Sequence, residues 1–204
     1  MVAYAVEQLD EVVLIGGPLN GMALMSPFVW KEGDRYRIMV RGVPRPEGPT
    51  IPTGVIASGE SGDGLRFAME SELAIVPSPG LHDAGGCEDP TVQYDPTAGY
   101  LVYYTGVDAA HVQGSMILAA GPSPTELTKK KLVLKAPPSE GNIKEATLVQ
   151  TTSGEWRVFY EYAAQKASRV GMAGGPTPRG PWMVLPDPFG IREDSWDNWH
   201  LSTG

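Results

Sequence analysis

Short runs in which apolar and polar residues alternate dominate the chain, as expected for strands with one face on a core. The clearest are YRIMVR (Tyr36 to Arg41), YLVYYT (Tyr100 to Thr105) and WRVFYE (Trp156 to Glu161). Their aromatic and β-branched content suits a pleated surface. Each follows a turn and a polar or Pro-bearing start: Ser26-Pro27, Glu88-Asp89-Pro90 and Lys144-Glu145-Ala146. Each leads to a second strand-like run: GVIASGESGDGLRF, SMILAAGPSPTEL and RVGMAGGPTPRGPW. A phrase of short strands recurring about every sixty residues signals radial blades around a central channel. The expected fold class is therefore all-β, a β-propeller. Equivalent positions of successive blades then converge on one site.

The pattern places residues 1–20 in a strand of an outer blade edge. Blade one covers roughly 21–80, with strands near Met22–Trp30, Arg35–Val43, Gly54–Ser58 and Phe67–Val76. Blade two covers roughly 81–139, with strands near Thr91–Tyr94, Tyr100–Gly106, Ser115–Ala120 and Lys131–Lys135. Blade three covers roughly 140–190, with strands near Ala146–Thr151, Trp156–Tyr162, Arg169–Ala173 and Trp182–Leu185. PRPEGPTIPTG (Pro44 to Gly54) reads as a Pro-rich loop. Helical periodicity is nearly absent, and SPTELTKKKL allows one helical turn at most. Propellers close with about four or more blades. Residues 1–204 are thus expected to form a single domain supplying about three blades plus the start of a fourth. A missing C-terminal portion or a second copy of the chain would complete the ring, since exposed strand edges favour association.

Composition narrows the class. The 204 residues are 42% hydrophobic and 20% charged, normal for a globular domain, while 25 Gly and 19 Pro fit many turns. No run approaches the roughly 20 apolar residues of a membrane span. The N-terminus lacks a basic region and carries Glu7, Asp10 and Glu11, which argues against a secretory leader. A single cysteine, Cys87, excludes an internal disulfide and a cysteine-rich zinc site, and fits a cytoplasmic location. The net charge is −8, and the densest basic run, Lys129-Lys130-Lys131, reads as a solvated turn. Nucleic acid is excluded as a partner, because neutralising phosphates needs clustered cations. A neutral oligosaccharide held by carboxylates and aromatic rings suits this balance better.

The local chemistry centres on GGCEDP (Gly85 to Pro90). Two adjacent acids follow a Gly pair, and Pro90 is expected to hold Asp89 extended. An Asp-Pro pair alone is an ordinary turn. Its match to Ser26-Pro27 and Glu145-Ala146 at the inner ends of the other blades raises the functional reading. NIKEA (Asn142 to Ala146) sets a cation beside an anion at the equivalent point, which elsewhere is a plain solvated pair. Arg41, Thr105 and Glu161 end the aligned strands and are candidates to line the channel. SWDNWH (Ser195 to His200) supplies two indoles, an acid and a histidine, a set suited to sugar C–H faces and hydroxyls or to plain packing. GESGDG lacks the Lys-Ser/Thr of a phosphate loop. His82 and His111 have no ligand-spaced partners, so no metal site is expected.

Taken together, these residues resemble glycoside hydrolase family 130, the β-mannoside phosphorylases and β-mannosidases, which are five-bladed β-propellers. MVRG (Met39 to Gly42) resembles the family's strand ending in a phosphate-binding Arg, which implies that role for Arg41. CEDP (Cys87 to Pro90) resembles Glu-Asp-Pro-Arg, whose Asp is the general acid, which implies that role for Asp89. NIKEA resembles the family's Lys-Asp-Ala segment, and WDNWHLSTG (Trp196 to Gly204) its Trp-Asp-x-x-His-x-Gly-x-Gly segment. The departures are Thr91 for the Arg after Glu-Asp-Pro, Glu161 for a second phosphate-binding Arg, and Ser202 for the first Gly after the His. Losing a cation and gaining a carboxylate should repel phosphate and favour water.

The resemblance and its departures imply inverting hydrolysis of β-mannosides or related oligosaccharides. Asp89 is the expected acid, and Glu161, with Glu145, the expected base. An inverting pair lies roughly 6.5–9.5 Å apart to admit the water. Arg41, Glu88, Asn142, Lys144, Trp196, Asp197 and His200 are the expected substrate-binding residues. No metal or organic cofactor is expected. Inorganic phosphate enters only as a co-substrate of the alternative, a phosphorylase using Arg41, Lys144 and His200. A non-catalytic carbohydrate-binding propeller is the alternative of a different class.

Overall fold

The strand pattern resolves into thirteen strands and, among the described residues, no helix. The computed structural model describes residues 10–46, 48, 50–136, 141–164, 166–190, 192 and 194–203, with the backbone alone for Lys129 and Lys130. The first nine residues of the predicted N-terminal strand, and Gly204 of the closing motif, lie outside the described residues.

Blade one contains β1 (Val13–Ile15), β2 (Ala23–Glu32), β3 (Arg35–Val43), β4 (Val55–Ser61) and β5 (Arg66–Ile75), in the order β1-β5-β4-β3-β2. Blade two contains β6 (Gly86–Asp95), β7 (Gly99–Val107), β8 (Gly114–Gly121) and β9 (Lys129–Lys135), side by side in chain order. Blade three repeats this with β10 (Ile143–Gln150), β11 (Trp156–Ala164), β12 (Ala167–Gly175) and β13 (Met183–Leu185). The first strands converge, β2 against β6 and β6 against β10, so they form the inner wall of a partial propeller. The N-terminal strand lies at the outer edge of blade one, where β1 pairs parallel with β5.

Burial explains the sequence texture. In β7, Leu101 and Tyr103 pack with Val158 and Tyr160 of blade three, while Val102 and Tyr104 pack with Met39 and Ile56 of blade one. The middle blade is covered on both faces, so its second strand reads as a nearly continuous apolar run. Each such large side chain contributes about 1.5–3 kcal/mol by leaving water. Blade one's outward face, with Ile38, Val40 and Phe67, is covered by Leu14, Leu19 and Met22 of the N-terminal segment. On blade three, Val149 of β10 and Met183 of β13 stand exposed.

Two expectations are corrected. The SPTELTKKKL segment makes a turn closed by Glu126 N–H to Ser123 O (3.1 Å) and then enters β9, so the lysine run is strand and not turn. Lysines suit this position because β9 is an edge that should not pair with other chains. The inner strand of blade two begins at Gly86, before the predicted Thr91, so Glu88-Asp89-Pro90 lies within it. No helix among the described residues is long and apolar enough to cross a membrane.

Candidate active site

The three polar starts are one structural device. Pairing of the first two strands slips between Met25 and Phe28, between Glu88 and Thr91, and between Lys144 and Thr147. The residues inside these slips, Ser26, Asp89 and Glu145, have positive φ of 47°, 48° and 54°. Each inner strand therefore carries a bulge whose central residue is left-handed. Bulges re-aim side chains, and holding such residues in this region costs of order 1–3 kcal/mol each. Asp89 is thus not extended, which corrects the sequence expectation. The proline at 90 disfavours the right-handed helical region for Asp89, but aspartate tolerates the left-handed one.

The strand tails identified by alignment are repeat-equivalent by register: Met25 opposes Arg41, Glu88 opposes Thr105, and Lys144 opposes Glu161. Each reaches forward to the next unit. Arg41 Nη2 donates to Glu88 Oε1 (2.6 Å) and to Thr53 O (2.8 Å), and Arg41 Nη1 lies 3.7 Å from Asp89 Oδ1. Thr105 Oγ1 accepts from Glu145 N–H (3.3 Å). Glu161 Oε2 lies 3.9 Å from His200 Nε2, and its Oε1 accepts from Ser168 Oγ (3.0 Å). Thr105 and Glu161 are buried by these contacts. Thr105 joins blades two and three, Glu161 ties blade three to the C-terminal segment, and neither lines the cavity that Asp89 opens into.

Asp89 and Glu145 line one cavity of about 430 Å³ with Ser26, Phe28, Thr147 and Ser202. Ser26 Oγ donates to Asp89 Oδ1 (2.6 Å), so a bulge residue of one blade orients the bulge acid of the next. Thr91 Oγ1 donates to Ala146 O (2.5 Å), tying the inner strands of blades two and three. The C-terminal segment folds back over blade three. Ser202 Oγ donates to Glu145 Oε2, Thr203 Oγ1 donates to Glu145 O, and Leu201 N–H donates to Ser168 O (3.3 Å). Glu88 and Asp89 are both 8% exposed. Burial pushes the Glu88 carboxyl above its ordinary range, against the Thr53 hydroxyl and the Arg41 and Lys144 charges that pull it down.

The predicted residues divide. Arg41, Glu88 and Asp89 form one cluster, Lys144 acts on Glu88, and Glu145 shares the cavity of Asp89. Glu161 and His200 sit together beside that cavity but do not line it. Asn142 Oδ1 accepts from Gly114 N–H (2.5 Å), a loop-bracing contact. Trp196 is 89% exposed, and the Asp197 carboxylate is engaged by Arg192, whose hydrogen bond holds it below the usual range. Neither lines the Asp89 cavity. His111 escaped the sequence reading because it has no partner at motif spacing. It lines a second cavity of about 470 Å³ with Arg41 and Glu88. Among the described residues no group of three or more His, Cys, Asp or Glu is placed to hold a metal ion.

No protein-family model and no curated protein matches the chain. Solved structures do. Zg3597, a family 117 glycoside hydrolase from the marine bacterium Zobellia galactanivorans, superposes with a TM-score of 0.68 at 15% identity, over 88% of this chain and 60% of that one. A thermostable family 43 glycoside hydrolase superposes with a TM-score of 0.64 at 16% identity, over 85% of this chain and 58% of that one. The β-1,2-mannobiose phosphorylase of Listeria innocua, in complex with β-1,2-mannobiose, superposes with a TM-score of 0.61 at 14% identity, over 91% of this chain and 65% of that one. The fold is the all-β propeller of these carbohydrate-active enzymes. The chain spans about 60% of the length of the structures it matches.

Proposed function

We propose that the chain carries the site of a glycosidase that cleaves β-mannosides or related oligosaccharides with inversion. One observation carries the reading: two bulge carboxylates from successive blades, Asp89 and Glu145, open into one cavity, with Asp89 held by Ser26 and Arg41. Asp89 gives its proton to the departing glycosidic oxygen. Glu145 takes the proton of a water that attacks the anomeric carbon from the opposite face. Of the two candidate bases, the cavity favours Glu145, because Glu145 lines it beside Asp89 and Glu161 does not. Glu161 then acts through His200 and the C-terminal segment, as a positioning residue.

Phosphorolysis is the weaker reading. Its anchor, Arg41, is already engaged by Glu88 and lies beside Asp89, and Glu161 puts a further carboxylate where an anion would need a cation. The test is product analysis on β-linked manno-oligosaccharides with and without inorganic phosphate. Free mannose in both conditions is expected. Mannose 1-phosphate formed only with phosphate would overturn hydrolysis, and loss-free turnover by Asp89→Asn would remove Asp89 as the acid.

A further inference from the structure

The Asp89 cavity has a neighbour across the Arg41–Glu88 pair. Glu88 and Asp89 are consecutive, yet they open into different cavities, as do Met25 and Ser26 one blade earlier. Two cavities thus flank one charged cluster. The second, of about 470 Å³, combines the apolar side chains of Val43, Ile51 and Pro52 with the polar groups of Arg41, Glu88 and His111. Its anion and cation lie 2.6 Å apart, so it presents paired donors and acceptors without a free charge that would select an ion.

His111 is built into this cavity by its loop. It has a positive φ of 57° on the turn between β7 and β8. Asp108 fixes that turn: its Oδ1 accepts from Val112 N–H (2.8 Å) and Gln113 N–H (3.2 Å), and its carbonyl accepts from His111 N–H (2.9 Å). The turn and the imidazole both press on Gly85, where an added Cβ would come within 2.0 Å of Asp108 O and 2.6 Å of His111 Cδ2. The backbone is held in a costly conformation, and a glycine leaves room for the ring. Nothing in strand pairing needs His111 there.

We infer that this second cavity holds the sugar unit next to the one being cleaved, with His111 as the residue that selects it. A pyranose carries apolar C–H faces and a rim of hydroxyls. Val43, Ile51 and Pro52 match the first; Arg41, Glu88 and His111 match the second. The inference rests on the glycosidase reading above. It adds that this chain prefers oligosaccharides over glycosides with no second sugar, and that His111 sets the preference.

The test compares β-mannobiose with β-mannosyl fluoride, which has no second sugar to place. His111→Asn keeps a residue that tolerates positive φ and removes the ring. The ratio of kcat/KM for mannobiose over fluoride should fall about tenfold, through KM for mannobiose. Ile51→Ser should lower the same ratio, and His82→Asn, an exposed residue outside both cavities, should leave it unchanged. An unchanged ratio in His111→Asn, or equal losses on both substrates, overturns the inference. If the wild-type chain turns over neither substrate, the glycosidase reading fails, and calorimetry with β-mannobiose reads the cavity directly. Binding about tenfold weaker in His111→Asn supports the inference; equal binding, or none by the wild type, overturns it.

Discussion

The junction between blades one and two and the junction between blades two and three use the same geometry for different chemistry. At the first, Arg41 reaches two buried acids, Glu88 and Asp89. At the second, the equivalent Thr105 accepts one backbone hydrogen bond from Glu145. The bulge is common to both, so the repeat fixes where a side chain points. The residue type at the tail decides whether the junction carries charge. The repeat offers equivalent positions, and the residue at one of them, Arg41, makes an electrostatic centre while its equivalent, Thr105, carries no charge.

Removing the cation should break this contrast hardest. Arg41→Met leaves Glu88 and Asp89 close together and 8% exposed with no guanidinium between them. Breaking a buried pair from one side costs about 3 kcal/mol or more. Denaturant unfolding should show a loss of that size. The double variant Arg41→Met/Glu88→Gln should recover at least about 1 kcal/mol of it, because one of the stranded charges is gone. A double variant no more stable than the single one would mean that Arg41 matters for packing and not for charge.

The neutral junction should break more gently. Thr105→Val keeps the shape but leaves the Glu145 N–H without its acceptor, which costs about 1 kcal/mol for a long bond of 3.3 Å. Because that bond holds the Glu145 bulge, kcat should fall more than the stability loss alone would produce, while KM moves little. A pure stability loss with normal kcat would detach Thr105 from the site.

The bulges themselves allow a finer comparison. Glu145 has a φ of 54°. Glycine meets no steric penalty there and alanine does, so Glu145→Gly should be more stable than Glu145→Ala by about 1 kcal/mol, with both inactive. Equal stabilities would mean that the backbone relaxes and stores no strain at this position.

Much of this frame was legible in the chain. The alignment of YRIMVR, YLVYYT and WRVFYE placed Arg41, Thr105 and Glu161 at equivalent points, and the register agrees. The predicted strand at Arg35–Val43 has the observed bounds. The conformation of the bulges was not legible, because the rule for residues before proline removes one region and leaves two, and only the tertiary pairing selects between extended and left-handed. His111 was hidden because the residues that share its cavity, Arg41 and Glu88, come from distant strands and no local motif links them to its turn. The placement of SWDNWH was not legible either: Asp197 is engaged by Arg192, Trp196 stands in solvent, and neither lines the Asp89 cavity.

The smallest expected effect is a slope, and it asks which force dominates at the charged junction. Burial raises the Glu88 carboxyl above its ordinary value of 4.5, while Arg41 and Lys144 oppose the rise. From that value up to the raised one, the folded chain binds more protons than the unfolded chain, so stability falls as pH rises. Glu88→Gln lacks this component. The stability of Glu88→Gln minus that of the wild type should therefore be flat below about pH 4.5 and climb above it. Carboxyls held low by hydrogen bonds from the backbone and Thr97, such as Asp63 and Asp95, act equally in both proteins and cancel. Thermal unfolding of the two across this range reads the sign. A difference that falls with rising pH would show that the guanidinium outweighs burial at Glu88.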